Sequence, residues 1–300
     1  MKLSVNGTEL YFDVVGSGLD ATSGFRQKPT LIMLHGGPGF DHTYLRPWLD
    51  PVSEVAQLVY IDERGCGRSA RHTNEYYQLG IMADDIVLFC KTLDIERPMV
   101  LGQSFGGFVA LSIALRHPDF MSGIVLFDTS PAWTGGYDLD ALEQLVDGQR
   151  GKELREVAYK ESTGTATAEE LKRFEQEIMP LYWHQGFKPE YIAELFGNPL
   201  VNMDIATYMM GTLSKEYDMR PSLSEIKVPA LVLQGRYDWV TPMTGAEEMA
   251  QAIPNGQLHV FEHSGHMVFM EEPEELVAVL KQWITSVHRE HAEFILSGSG

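Results

Sequence analysis

The chain has 300 residues and a formal net charge of -19, with 44% hydrophobic and 22% charged residues. These proportions are typical of a soluble globular protein, and the length suffices for a large α/β core. A surface this acidic repels phosphate backbones and anionic lipid heads, so neither nucleic acid nor a membrane is an expected partner.

The cysteine content and the composition of the two chain ends indicate the compartment in which the protein is expected. The two cysteines, Cys66 and Cys90, are too few for a disulfide framework and fit a reducing compartment. The segment from Met1 to Gly7 lacks the apolar core of a signal peptide, and no run of eighteen apolar residues follows. A cytoplasmic location is therefore expected. Residues 297–300 have the composition of an appended linker and are left out of the fold prediction.

Short apolar runs with glycine, proline or acidic residues at their ends indicate β-strands. The chain opens with Lys2 to Val5 and Glu9 to Val15, and the Asn6-Gly7 step between them favours a tight hairpin. Six further runs read as buried strands: Thr30–His35, Gln57–Asp62, Pro98–Gln103, Gly123–Asp128, Pro229–Gln234 and Gln257–Phe261. Their continuous apolar character is typical of parallel strands that are covered on both faces.

Helical periodicity occurs between these runs, in Tyr76–Leu93, Phe105–Arg116, Thr244–Ile253 and Glu274–Val287. Alternation of strands and helices predicts a mostly parallel, doubly wound α/β sheet that begins with an antiparallel hairpin.

Residues 131–222 break the alternation, because they have helical character and no strand-like run. Their aromatic and acidic segments include Glu169–Met179, Tyr182-Trp183 and Tyr191–Phe196. We predict a helical cap inserted into a core formed by residues 1–130 and 223–293.

The segment from Gly102 to Gly107 reads Gly-Gln-Ser-Phe-Gly-Gly and joins a predicted strand to a predicted helix. That context is required of a G-x-S-x-G nucleophile elbow, in which small residues flank a serine on a sharp turn. The hydroxyl then projects at a helix N-terminus, where developing negative charge is stabilised. Ser104 is the predicted nucleophile.

A serine hydroxyl needs a base, and the base needs an acid to orient it. His266 lies in the loop after the last predicted strand and is the predicted base, with His263 as its rival. Asp238 follows the penultimate strand and is the predicted acid, with Asp128 as the alternative.

Two backbone N–H groups are expected to form an oxyanion hole. One is that of Phe105, directly after the nucleophile, and the other comes from the glycine cluster after the first buried strand. We assign Gly37, with Gly36 as the runner-up. The histidines lack metal-site spacing and no nucleotide-binding glycine motif is present, so no metal and no cofactor are predicted.

At these motifs the sequence resembles the prolyl iminopeptidase branch of the α/β-hydrolases. His35–Gly39, which reads His-Gly-Gly-Pro-Gly, resembles the oxyanion motif of the branch. Asp62–Ser69 resembles its D-Q-R-G-C-G-R-S loop, with Glu63 in place of the glutamine. Gly235–Asp238 and Ser264–His266 resemble its acid and base segments.

The resemblance implies release of an N-terminal residue, often proline, from short peptides, so the expected substrate is a small molecule or a short peptide. Family members hold the free amine with carboxylates, usually from the cap. The residue after Asp238 is Trp239, and the cap offers four carboxylates as candidates: Glu175, Glu177, Asp204 and Glu216. We predict a substrate pocket formed by Trp239, His35, Trp183 and Asp204.

Two other functions stay open. The same triad with an apolar pocket predicts an esterase, lactonase or amidase, for example toward an aryl ester or an acyl-homoserine lactone. A hydrolase scaffold can also serve as a non-catalytic ligand receptor. The sequence leaves the oligomeric state open.

Overall fold

The computed structural model of the chain describes residues 1–20, 24–133, 137–146, 148–191 and 200–296, with side chains as far as Glu290. The end of the predicted segment Tyr191–Phe196 and the predicted linker at 297–300 lie outside the described residues.

One large sheet organises the fold. Its eight strands are β1 (Lys2–Val5), β2 (Thr8–Val15), β5 (Thr30–Leu34), β6 (Gln57–Asp62), β7 (Met99–Gln103), β8 (Gly123–Phe127), β9 (Ala230–Gly235) and β10 (Gly256–Phe261). Their spatial order is β1-β2-β6-β5-β7-β8-β9-β10. A separate two-stranded sheet contains β3 (Leu19–Asp20) and β4 (Arg26–Gln27), which the sequence analysis did not predict.

The N-terminal hairpin has the turn that its sequence predicts. Asn6 and Gly7 adopt positive φ values of 47° and 70°, which asparagine and glycine tolerate best. β1 pairs antiparallel with β2, and β2 pairs antiparallel with β6 in the register Tyr11↔Asp62. All pairings from β6 to β10 are parallel. The predicted α/β architecture, mostly parallel with an antiparallel hairpin, is confirmed.

Helices connect the strands and cover both faces of the sheet, as parallel strands require. They are α1 (Leu79–Thr92), α2 (Phe105–Arg116), α3 (Leu139–Leu145), α4 (Gly148–Ser162), α5 (Ala168–Arg173), α6 (Met203–Glu216), α7 (Met243–Ala252), α8 (Val268–Glu271) and α9 (Pro273–Leu296). Single 3-10 segments lie at His42–Leu45, Asp50–Glu54, Asn74–Tyr76, Met179–Tyr182 and Arg220–Glu225, and a π-helical turn at Phe174–Ile178. Among the described helices, none combines the length and apolarity needed to cross a membrane.

The insertion between β8 and β9 contains α3 to α6, and its described residues add no strand to the large sheet. Its two ends meet where Ala132 forms an isolated antiparallel bridge with Asp218. The Trp133 N–H donates to the Tyr217 carbonyl at 3.0 Å and strengthens this junction. The inserted helices therefore leave and rejoin the sheet at one place, beside the carboxyl ends of its strands.

Candidate active site

Ser104 lies on the turn between β7 and α2 with φ 51° and ψ -118°, a strained conformation for a residue with a side chain. The turn is held from both sides of its backbone. The Ser104 N–H donates to the Phe127 carbonyl at 2.9 Å, and the Ser104 carbonyl accepts from Thr129 Oγ1 at 2.7 Å. Neighbouring β8 thus supports the strained turn that projects the hydroxyl.

The glycines around Ser104 are required by close backbone contacts. A Cβ atom on Gly102 would lie 2.2 Å from the Gly106 carbonyl oxygen. A Cβ atom on Gly106 would lie 2.4 Å from the Leu34 carbonyl oxygen, on neighbouring β5. The small residues of the motif are therefore needed for the turn to pack against the sheet, as the elbow prediction requires.

His266 and Asp238 form a buried pair, with His266 Nδ1 2.8 Å from Asp238 Oδ2. The same oxygen accepts from Thr241 Oγ1 at 2.8 Å and Gln234 Nε2 at 3.0 Å, while Oδ1 accepts from the Val240 and Thr241 N–H groups. A carboxylate so well supplied with donors has a fixed orientation. It keeps the imidazole hydrogen on Nδ1 and leaves Nε2 to accept a proton.

Asp128, the alternative acid, is also buried but has a different partner. Its Oδ1 accepts from the Gly235 N–H at 3.0 Å. Burial, followed by the charge of Asp238, raises the pKa of Asp128 well above its ordinary value. Burial thus favours the neutral form of this carboxyl, which suits a structural hydrogen bond at the end of β8.

His263, the rival base, lies on the protein surface. Its backbone N–H donates to Glu272 Oε2 at 3.1 Å. The structure therefore joins Asp238 to His266 and leaves His263 on the outside of the loop.

The predicted oxyanion donors also lie around Ser104. Phe105 is the first residue of α2, so its N–H has no acceptor within the helix. Gly37 has φ 58° and lines the same cavity as Ser104. The Gly36 N–H already donates to the Tyr44 hydroxyl, which in turn donates to Gln103 Oε1 at 2.6 Å. This engagement favours Gly37 over Gly36.

A cavity of about 520 Å³ lies between Ser104 and the inserted helices, and His266 also lines it. A cavity of this size suits a small ligand. Its wall is mostly apolar, and many of its side chains are aromatic or contain a thioether: Phe40, Tyr44, Phe105, Phe108, Trp133, Tyr137, Phe174, Met179, Tyr182, Met203, Met210 and Met267. Two carboxylates, Glu161 and Glu175, and the amine of Lys172 also line it.

Glu161 is the functional candidate that the sequence analysis missed. The Tyr137 hydroxyl donates to Glu161 Oε2 and lies 3.2 Å from the Tyr182 hydroxyl. Burial raises the pKa of Glu161 to about 7, although the hydrogen bond from Tyr137 acts in the opposite direction. The sequence contained one indication that Glu161 is covered. The residue continues the apolar face of α4 that Leu154 and Ala158 define.

The predicted substrate pocket needs correction, beginning with the two tryptophans, which lie outside the cavity lining. Trp239 is buried, and its Nε1 donates to the Leu181 carbonyl at 2.8 Å. Its ring packs behind Tyr137 and Tyr182, which themselves line the cavity. Trp183 is buried and stacks on Tyr191. The sequence indicated that aromatic side chains line the substrate pocket. Which of these rings face the cavity depends on how they pack in the folded protein.

His35 and Asp204 lie outside the lining as well. His35 is fully buried below the glycine cluster, and Asp204 is exposed at the start of α6. Of the cap carboxylates considered, Glu175 lines the cavity, whereas Glu177 pairs with Arg150 and Arg173. Glu216 is exposed.

With this geometry established, comparison with known proteins identifies the family. Residues 29–273 match the family model described as alpha/beta hydrolase fold. The chain belongs to the α/β-hydrolase family. This membership makes it a hydrolase, and it accounts for a serine elbow, a histidine loop and an inserted helical segment in this chain order.

Individual relatives specify the branch of the family. The chain is 27% identical to the proline iminopeptidase of Saccharolobus solfataricus, over 86% of this chain and 85% of that one. It is 29% identical to the proline iminopeptidase of Clostridium botulinum, over 86% of this chain and 90% of that one. Among solved structures, an esterase from Exiguobacterium antarcticum matches with a TM-score of 0.72 at 25% identity, covering 94% of this chain and 97% of that one. The resemblance to the prolyl iminopeptidase branch is confirmed.

Proposed function

We propose that the chain is a serine hydrolase that works through an acyl-enzyme, with Ser104 as nucleophile, His266 as base and Asp238 as orienting acid. The observation that supports this most directly is that Ser104 and His266 line one cavity, while His266 is held by Asp238 at 2.8 Å. The Gly37 and Phe105 N–H groups are the proposed oxyanion donors.

The proposed reaction needs only these groups and water. His266 Nε2 takes the Ser104 hydroxyl proton as Oγ bonds to the substrate carbonyl carbon, and the carbonyl oxygen gains negative charge. His266 then protonates the departing amine or alcohol as the bond to it breaks. Water repeats the sequence on the acyl-enzyme, which releases the acid and restores the serine.

We propose that residues 131–222 form a cap over a core of residues 1–130 and 223–293, and that the cap determines the substrate. Glu161 is placed to bind a substrate ammonium group in a cavity that is otherwise mostly apolar. A charge pair is stronger in such surroundings than in water. The aromatic wall suits an apolar first residue such as proline. The proposed substrate is therefore a short peptide or amide with a free N-terminal amine.

The mostly apolar wall also supports a second candidate, an esterase or lactonase that places an acyl or aryl group there. A substrate panel separates the candidates. Proline and alanine nitroanilides, their N-acetylated forms, nitrophenyl esters and lactones would be assayed under one set of conditions. Nitroanilide turnover that disappears on N-acetylation supports the peptidase. Ester or lactone turnover alone supports the second candidate, and tight binding without turnover would indicate a receptor.

Replacing Glu161 by glutamine tests the amine site. We expect Glu161→Gln to raise KM for proline nitroanilide by about 10- to 100-fold, because a desolvated charged hydrogen bond contributes about 1.5–3 kcal/mol. Turnover of a nitrophenyl ester should change less than twofold. Glu177→Gln is the matched control in the cap, since Glu177 pairs with arginines away from the cavity. An equal loss on amine and ester substrates would contradict the assignment.

The raised pKa of Glu161, about 7, predicts how binding of the substrate amine depends on pH. Below that value the carboxyl is protonated and cannot pair with an ammonium group, so amine binding should strengthen as pH rises through about 7. Above about pH 8 the substrate amine itself loses its proton. The ratio of kcat/KM for proline nitroanilide to that for an ester should therefore peak between these values. In Glu161→Gln the rise near pH 7 should be absent.

A further inference from the structure

Three buried side chains below the glycine cluster have no place in the reaction described so far. They are His35, Glu63 and Cys66, and their potential ligand atoms all lie within 4.8 Å of one another. His35 directly follows β5 and precedes the two glycines considered as oxyanion donors. Glu63 and Cys66 come from the loop that follows β6, where the resembled family motif has glutamine in place of Glu63.

The hydrogen bonds of His35 fix its protonation. Nδ1 lies 2.9 Å from the Gly36 carbonyl oxygen, which can only accept, so Nδ1 must hold a hydrogen. Nε2 lies 3.0 Å from Glu63 Oε2, closer than the 3.4 Å that separates it from the Glu63 backbone nitrogen. Burial alone would lower the pKa of His35, but the charge of Glu63 and contacts with Cys66 raise it well above its ordinary value. The Glu63 carboxylate at 3.0 Å therefore favours the charged form of His35, whose Nδ1–H donates to the Gly36 carbonyl.

The bond from His35 to Gly36 acts on the proposed oxyanion donor through one peptide group. The Gly36 carbonyl and the Gly37 N–H belong to the same planar unit and point in opposite directions. A donor that holds the carbonyl from below therefore fixes the direction of the N–H above. It also polarises the peptide and makes its N–H a stronger donor. At the far end of the loop, the Gly39 N–H donates to Cys66 Sγ at 3.3 Å.

We propose that the His35–Glu63 ion pair is a positioning pair for the oxyanion hole, which orients and polarises the Gly36–Gly37 peptide. This role rests on the proposed function, because it needs an oxyanion to bind there. A glutamine at position 63 would have no charge to retain the second proton on His35. Glu63 thus distinguishes this chain from the motif that it resembles, and it strengthens transition-state binding rather than substrate binding.

Glu63→Gln tests the pair with almost no change in shape. We expect kcat to fall about tenfold with KM within twofold of wild type, because one complete oxyanion donor accounts for about 10²- to 10³-fold and this donor is only weakened. An aryl boronic acid, which forms a tetrahedral anion on a serine, should bind weaker by the same factor. A purely structural residue would not move kcat and boronate affinity together while KM stays constant.

The matched control is Asp85→Asn, which breaks the buried ion pair between Arg64 and Asp85, whose closest atoms are 2.6 Å apart. It should lower the melting temperature and leave kcat and boronate affinity within twofold. Unchanged kcat and boronate affinity in Glu63→Gln would overturn the proposal, and so would a change in KM alone. A stoichiometric zinc ion in purified wild type, held by these three side chains, would also overturn it.

A measurement on wild type keeps the proposal testable if Glu63→Gln does not fold. Nitrogen-15 NMR of the imidazole should show hydrogens on both nitrogens of His35 at neutral pH, and a missing hydrogen on either nitrogen would overturn the proposal. Labelling of Ser104 by a fluorophosphonate tests the proposed function separately. Failure to label would reject the serine mechanism, whereas labelling with an unchanged Glu63→Gln rejects only the positioning pair.

Discussion

Ser104→Ala is expected to lower kcat by about 10⁴- to 10⁶-fold on the best substrate of the panel, because no other group can form the acyl-enzyme. The variant should also lose labelling by a fluorophosphonate, which mass spectrometry of the intact protein measures. Ser112→Ala is the matched control, since Ser112 is buried within α2 and does not line the cavity. It should retain both the rate and the label.

The free energy of unfolding of Ser104→Ala shows whether activity is lost with the nucleophile or with the fold. Alanine keeps the Cβ atom, so the strain at φ 51° remains, and the free energy of unfolding should stay within about 0.5 kcal/mol of wild type. Urea titration measures it. A Ser104→Ala protein with a near-wild-type rate would reject Ser104 as nucleophile. Tight ligand binding by wild type without any turnover would instead favour the receptor.

The central strands of the sheet could be predicted closely because they are buried on both faces. Every residue of β7 and β8 is buried, so each strand reads as a continuous apolar run that ends where the chain reaches a turn. Predicted strand ends therefore lie within one residue of the observed ends. The short strands β3 and β4 were missed because their side chains are half-buried or exposed and show no such pattern.

The cavity could not be predicted in the same way. Periodicity shows which face of a helix is covered, but not whether protein or a substrate covers it. Trp183 and Tyr182 are adjacent, yet Tyr182 lines the cavity and Trp183 packs against Tyr191. Glu161 was not among the predicted carboxylates, because it lies at the end of the apolar face of α4 and the sequence does not show that this face meets a cavity.

The identity of the acid was the other open question, because Asp128 and Asp238 follow neighbouring strands. Carboxyl ends of adjacent parallel strands meet at one edge of the sheet, so sequence order places both carboxylates near the same histidine. The two differ in their donors. Asp238 has hydrogen bonds from His266 and from side-chain and backbone donors, whereas Asp128 accepts from the Gly235 backbone.

Asp238→Asn is expected to lower kcat by about 10⁴-fold, and Asp128→Asn by less than about fivefold. An amide at position 238 would favour the wrong tautomer of His266, because its NH₂ group would donate to Nδ1 and move the hydrogen to Nε2. Nε2 could then no longer accept the Ser104 proton. At position 128 an amide oxygen can still accept from the Gly235 N–H, which preserves the observed bond. Similar losses in the two variants would contradict the assignment.

Stability against pH provides an independent test of the same pair. Asp128 has a raised pKa in the folded protein, so between its unfolded and folded pKa values the folded state binds more protons than the unfolded state. Its contribution therefore makes wild type less stable as pH rises through that interval. The amide that replaces the carboxyl in Asp128→Asn cannot ionise. We expect that variant to gain stability relative to wild type as pH rises above the unfolded pKa of an aspartate, about 4, as measured by urea unfolding at each pH. A constant difference would mean that Asp128 has the same pKa in the folded and unfolded states, and it would contradict the structural role given to its buried carboxyl.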